Sequence, residues 1–164
     1  MSKQIMILVV TILFLSAFSQ STAIAQSREA LPNDFGIEFL GKAALYSFSY
    51  QYMANSSLGL QLGVGALGGG GDDESTLIVF IPAGAKFYVI PKNGSPFLTG
   101  GIVLVTASVE SGPFSDSESD NYFYAGLGFE YRADGGFIFR GTAYGLIGGG
   151  SFFIWPGLHI GYAF

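Results

Sequence analysis

The feature that most restricts this chain is a period of two in side-chain size. Leu58, Leu60, Leu62, Val64 and Ala66 alternate with Gly59, Gln61, Gly63 and Gly65; Tyr46, Phe48, Tyr50 and Tyr52 alternate with Ser47, Ser49 and Gln51. Phe123, Ala125, Leu127, Phe129 and Tyr131 do the same against Tyr124, Gly126, Gly128 and Glu130. Successive side chains of a β-strand point to opposite faces, so this period marks strands with two unlike faces. A soluble barrel turns its large apolar side chains inward, whereas a membrane barrel turns them to lipid and keeps small and polar groups inside. The face opposite the bulky one here is built of Ser, Gly, Gln, Glu and Arg. It is too small and too polar to coat a soluble protein of which only 12% of residues are charged. The polar face is expected inside, and the fold class is all-β: an antiparallel up-and-down transmembrane β-barrel.

The alternating segments number eight, at about 35–41, 43–53, 57–67, 76–90, 96–109, 121–132, 136–147 and 153–164. An even number returns both ends to one side, as single-chain bacterial barrels require. Ala54-Asn55-Ser56, Pro91 to Ser95 and Ala133 to Gly136 carry the Asn-Gly and Asp-Gly chemistry of short turns. Asn55 and Asn93 also open glycosylation sequons, which this turn chemistry explains without sugar. The other links, "GGGGDDES", Glu110 to Asp120 and "GGGS" at 148–151, read as longer polar loops on the outer side. The link around Lys42 is short and departs from this pattern. Gly63, Gly65 and Gly68 match a dinucleotide-binding pattern, but no helix follows to hold a pyrophosphate, so they belong to a strand. Pro82 and Pro156 are expected near the outer rim, because proline cannot donate to a sheet ladder. Tyr50, Tyr52, Phe87, Phe129, Tyr131, Phe137, Phe139, Tyr162 and Phe164 are expected to form the inner aromatic girdle, with Trp155 on the outer one.

The first residues combine Lys3, an apolar run from Ile5 to Phe18 and Ala23-Ile24-Ala25, the parts of a cleaved secretory signal. The run is short for a membrane helix. The expected organisation is a signal peptide at 1–25, a short linker at 26–33 and a barrel domain at 34–164. The chain has no cysteine, which excludes a lipoprotein anchor and a disulfide framework. Its other end, "WPGLHIGYAF", alternates Leu158, Ile160, Tyr162 and Phe164 with His159, Gly161 and Ala163. This resembles the closing strand of bacterial outer-membrane barrels, which the barrel assembly machinery reads; the resemblance makes Tyr162 and Phe164 an assembly signal. Residues 35 to 164 as a whole are similar to the small outer-membrane β-barrels of Gram-negative bacteria. "GIEFLGKAALYSFSYQY" and "WPGLHIGYAF" look most like a group of uncharacterised secreted proteins of the Bacteroidota. The resemblance implies location and fold only: the bacterial cell outer membrane, with outer-membrane lipid and lipopolysaccharide as surroundings, a monomer, and no cofactor.

An eight-stranded barrel is about wide enough for side chains to fill, so the inward charges Glu38, Lys86, Glu130, Arg140 and His159 are expected to plug the lumen rather than react. Arg140 should lie against Glu38 or Glu130, because buried charges must pair. Asp72, Asp73, Glu74, Asp116, Glu118 and Asp120 form acidic loops that offer oxygens to a weak divalent cation site, although their spacing matches no calcium loop and no metal is expected. With twelve acids against seven bases the chain is acidic, which argues against nucleic acid. The leading expectation is a structural or surface-interaction barrel closed to large solutes, not an enzyme. The alternatives are a lipid A-modifying barrel enzyme, which would need a nucleophile and base around His159, and a secreted soluble barrel that binds a hydrophobic ligand.

Overall fold

Tyr46–Met53 shows how the alternation is satisfied: its residues are exposed and buried in strict turn, with the serines and Gln51 inside and the aromatics outside. The computed structural model describes residues 26–71, 74–111 and 114–164. The expected signal peptide and the acids Asp72 and Asp73 lie outside them. One short helix, α1 (Gln26–Ala30), precedes eight strands: β1 (Asn33–Leu40), β2 (Tyr46–Met53), β3 (Leu58–Gly71), β4 (Glu74–Tyr88), β5 (Gly94–Ser111), β6 (Phe114–Arg132), β7 (Phe137–Gly148) and β8 (Ser151–Ala163). All are antiparallel to their chain neighbours, and β1 closes on β8 from Asp34↔Ala163 to Leu40↔Gly157. The molecule is a closed eight-stranded barrel.

Its polarity is inverted relative to a soluble protein. Leu60 and Ile160 are 50% and 46% exposed, while Gln61, Glu130 and His159 keep 6%, 0% and 3%. Two apolar clusters share the interior with the charges: Met53, Tyr88 and Phe97 near the base, and Val103, Tyr124 and Tyr144 higher up. Room for these rings comes from glycine on facing strands. Gly84 pairs with Gly101 across β4 and β5, and a Cβ on Gly101 would lie 2.7 Å from both the Gly84 Cα and the Tyr124 hydroxyl. Small and large inward residues thus alternate around the wall, as filling a narrow barrel demands.

Several expected boundaries are corrected. The long outer loops are hairpins: Gly71 pairs with Glu74 and Ser111 with Phe114. The β7–β8 link is a two-residue turn at Gly149 and Gly150, with φ of +56° and +77°, the left-handed geometry that tight hairpins need and glycine supplies. The polar composition of these segments was a poor guide because a ladder is held by backbone groups. β6 has 19 residues, about twice the 9–11 that cross a bilayer, and strand beyond that length needs no apolar face. Pro82 is accordingly not at a rim: β4 continues past it to Glu74, and the proline is fully buried, paired with Val103. Its missing N–H falls where pairing with β3 lapses, between Leu62↔Ala83 and Gly65↔Phe80. Pro156 is also inside its strand, opposite Ala143. Trp155 pairs with the buried Tyr144 and therefore takes the lumen face rather than an outer girdle.

The short link after β1 has its own solution. Gly41–Ala43 form a 3-10 turn folded into the barrel, with all three residues buried. Leu40 and Ala44 flank it at φ of +57° and +64°, a conformation that costs non-glycine residues on the order of 1–3 kcal/mol each. The turn persists because Lys42 reaches a carboxylate inside and the Tyr122 hydroxyl donates to the Lys42 carbonyl.

Candidate functional site

The strand register brings the inward charges together. Glu130 on β6 stands directly across from Arg140 on β7, and Arg132, two residues along β6, takes the same face. Asp34 enters from β1 once the barrel closes. Arg140 pairs through Nε with Glu130 Oε2 and through Nη2 with Asp34 Oδ2 at 2.5 Å. Arg132 reaches the same Asp34 oxygen at 2.8 Å and Glu130 Oε1 at 3.4 Å. The Tyr88 hydroxyl donates to Glu130 Oε2 at 2.6 Å and accepts from Gln51 Nε2 at 2.9 Å. Three arginines in all converge on two carboxylates, because Arg28 joins from α1: its Nη2 lies 3.1 Å from Glu130 Oε1.

Arg28 makes the stretch 26–33, read in the sequence as a linker, part of the barrel's base. Its guanidinium lies 4.2 Å from the centre of the Tyr88 ring and donates to the carbonyls of Ile90 and Lys92 in the β4–β5 turn. Arg132 donates to the Leu31 carbonyl at 2.8 Å. Hydrogen bonds to charged groups contribute about 1.5–3 kcal/mol each. Arg28→Ala is expected to lower the unfolding free energy by about 2 kcal/mol and to speed amide exchange over residues 29–31 while β1 to β8 stay protected. Unchanged exchange there would show that the arm is held by something else.

A second cluster lies higher. Glu38 accepts from Lys42 Nζ and from the Tyr144 hydroxyl, each at 2.5 Å, and Lys42 Nζ sits 5.5 Å from the Tyr144 ring centre. Arg140 therefore has Glu130 and Asp34 as partners rather than Glu38. Glu38 and His159 are register partners on β1 and β8, yet the His159 ring turns to Ser49 on β2, with Nδ1 at 3.3 Å from Oγ. Its Nε2 has no hydrogen-bond partner among the described residues and lies against Gly36 and Gly161. Lys86 is buried with Nζ 5.4 Å from the Phe97 ring centre. The five lumen residues singled out in the sequence thus fall in one chamber but in separate groups.

Of the acids expected in loops, the four among the described residues are distributed along strands. Glu74 begins β4, and on β6 Asp116, Glu118 and Asp120 stand opposite Val109, Ala107 and Val105. Spread at intervals of two along an extended strand, Glu118 and Asp120 do not converge. No group of three potential metal ligands occurs among the described residues. Tyr162 points outward from β8, between Phe35 and Phe137, and Phe164 exchanges backbone hydrogen bonds of 2.9 and 3.2 Å with Asn33.

The contributors that sequence reasoning passed over are Asp34, Arg132, Arg28, Lys42, Tyr88, Tyr144 and Ser49. Asp34 and Arg132 had a signal: they share parity with Glu38 and Glu130 on their strands.

No protein-family model matches the chain, and neither does any curated protein sequence. Solved structures do share its shape. The N-terminal β-barrel domain of Pseudomonas aeruginosa OprF is 18% identical, with a TM-score of 0.58 over 80% of this chain and 97% of that one. Ail, the attachment invasion locus protein of Yersinia pestis, is 17% identical, with a TM-score of 0.51 over 80% of this chain and 96% of that one. Ail has also been solved in complex with the heparin analogue sucrose octasulfate, with the same coverage and score. The chain has the fold of the small eight-stranded outer-membrane barrels.

Proposed function

We propose that this chain is an outer-membrane β-barrel with a structural or surface-interaction role, closed to large solutes, and that it is not an enzyme. The observation that carries this reading is the inverted polarity: ionised side chains at the centre and Leu, Ile, Phe and Tyr around the outside. In water such a surface would associate, and in hydrocarbon it is the favoured arrangement. In this reading the strands cross the membrane, with lipid on the outward face and lipopolysaccharide at the outer leaflet. Closure follows from the two charge clusters, which fill a lumen only about wide enough for side chains. The two-sided pairing of β8 and the outward Tyr162 and Phe164 suit delivery by the barrel assembly machinery, as a monomer.

Charge separates this barrel from a polyanion binder such as Ail with its heparin analogue. Its formal net charge is −5, and Glu118 and Asp120 sit exposed on the outer part of β6, so a surface partner would be cationic or neutral. The Ser49–His159 pair is the nearest approach to a hydrolytic site. It is buried in the lumen, away from lipid, and none of the described residues orients the second imidazole nitrogen, whereas a nucleophile needs a base that is itself oriented.

The expected result is recovery in outer-membrane fractions, release only by detergent, and a gel mobility that changes when the solubilised protein is heated. His159→Ala should leave lipid A acylation unchanged. Recovery from the periplasm or medium without detergent, with no heat-dependent shift, would favour a soluble ligand-binding barrel instead.

A further inference from the structure

Among the described residues the interior does not balance its own charge. Arg28, Lys42, Lys86, Arg132 and Arg140 are all buried, against Asp34, Glu38 and Glu130, which leaves two cations in excess. Each of these carboxylates already faces another cation: Asp34 and Glu130 the arginines, Glu38 Lys42, and only Asp34 Oδ1 is left without a hydrogen-bond partner among the described residues. Lys86 is left over. Only 4% of it is exposed, and its ammonium makes no hydrogen bond or ion pair with the described residues; it lies over the Phe97 ring. A ring quadrupole at 5.4 Å offsets only a small part of the cost of burying an ammonium, which is several kcal/mol even after relaxation.

The surroundings suit an anion. Thr99 pairs with Lys86 across β4 and β5, and the Tyr124 hydroxyl lies against Gly84, two residues from Lys86 on the same face. The Thr99 hydroxyl donates to the Ala85 carbonyl at 3.0 Å, so it is the Tyr124 O–H, whose oxygen accepts from Gln61 Nε2 at 2.8 Å, that brings a donor to the same wall as the ammonium. An eight-stranded interior is about wide enough for side chains alone, so a counter-ion held there would have to be small.

We propose that the lumen binds one small monovalent anion, of chloride's size, at the Lys86 ammonium between the two ion-pair clusters. The ion supplies one of the two missing counter-charges, the one at Lys86, and the site is a structural one, built into the plug. It does not rest on the membrane location, since the lumen is the same in detergent.

The test compares the detergent-solubilised full chain in sodium chloride, sodium bromide and sodium gluconate at equal ionic strength. Binding to the folded state alone raises its stability, so the thermal midpoint in chloride and bromide should exceed that in gluconate by at least about 3 °C. Lys86→Met should abolish the difference, and Lys86→Arg, which keeps the charge, should retain it. Crystals grown in bromide should show an anomalous peak within hydrogen-bonding distance of Lys86 Nζ. Equal midpoints in all three salts, a difference that survives in Lys86→Met, or an empty bromide map would each overturn the proposal. So would a neutral Lys86 amine at pH 7, read from its nitrogen chemical shift.

Discussion

Replacing Glu130 by glutamine is expected to destabilise the folded barrel by about 3–5 kcal/mol, because removing one partner of a buried ion pair leaves the other uncompensated. The expectation is at the upper end here. Glu130 alone meets Arg28, Arg132 and Arg140 and accepts from Tyr88, so the isosteric amide strands three guanidinium groups with only Asp34 as an anion. The amide would also have to turn its own N–H group toward one of them. Glu38→Gln, at the smaller cluster with Lys42 and Tyr144, should cost less. Urea unfolding in lipid vesicles, followed by tryptophan fluorescence of Trp155, measures both. Glu130→Gln combined with Arg140→Gln should recover part of the loss, since neighbours in one network are non-additive by about 0.5–3 kcal/mol. A loss below about 1 kcal/mol for Glu130→Gln would mean that water screens the cluster, and the picture of a dry plug would fall.

The architecture was legible because one period of two carries both the strand and its environment. Leu58 to Ala66 can pair in only one way without exposing glycine to lipid and leucine to the lumen, so register and orientation followed together. The vertical extent was not legible. "DSESD" reads as loop by composition, yet Asp116, Glu118 and Asp120 continue the ladder opposite Val109, Ala107 and Val105, because backbone hydrogen bonds are indifferent to side-chain polarity. The side of Trp155 was legible, since counting by twos from His159 puts it on the lumen face.

The site was legible in part, for a related reason. Parity marks which charges point inward but says nothing of which inward charges meet. That depends on the stagger of the strands, by which Glu130 and Arg140 become cross-strand partners while Glu38, close to Arg140 in a flat drawing, pairs with Lys42 on its own link. Lys42 and Arg28 carry no periodic mark at all. One sits in a turn that folds inward against the usual preference of links for the surface, and the other in a five-residue helix too short to declare itself by spacing. Both are recognisable only once the lumen is seen to hold acids that need them.

The second large effect tests the solvent around the barrel. Leu127 is 65% exposed and lies on β6 midway between the outward Phe123 and Tyr131. If that face meets hydrocarbon, Leu127→Arg places a guanidinium near the bilayer midplane, at a cost of about 2–4 kcal/mol. On a protein in water the same exposed leucine could become arginine within about 0.5 kcal/mol either way. Ser119, also exposed on β6 but on its outer part, supplies the control: Ser119→Arg should change stability by less than about 1 kcal/mol, because the penalty falls away toward the interface. Reversible unfolding of the two variants in lipid vesicles gives the comparison directly. A depth-dependent penalty follows from lipid on the outward face and from nothing else in the chain. Equal and small effects at both positions would mean that the bulky face is covered by protein or water, and the charged lumen would then need another explanation than a membrane.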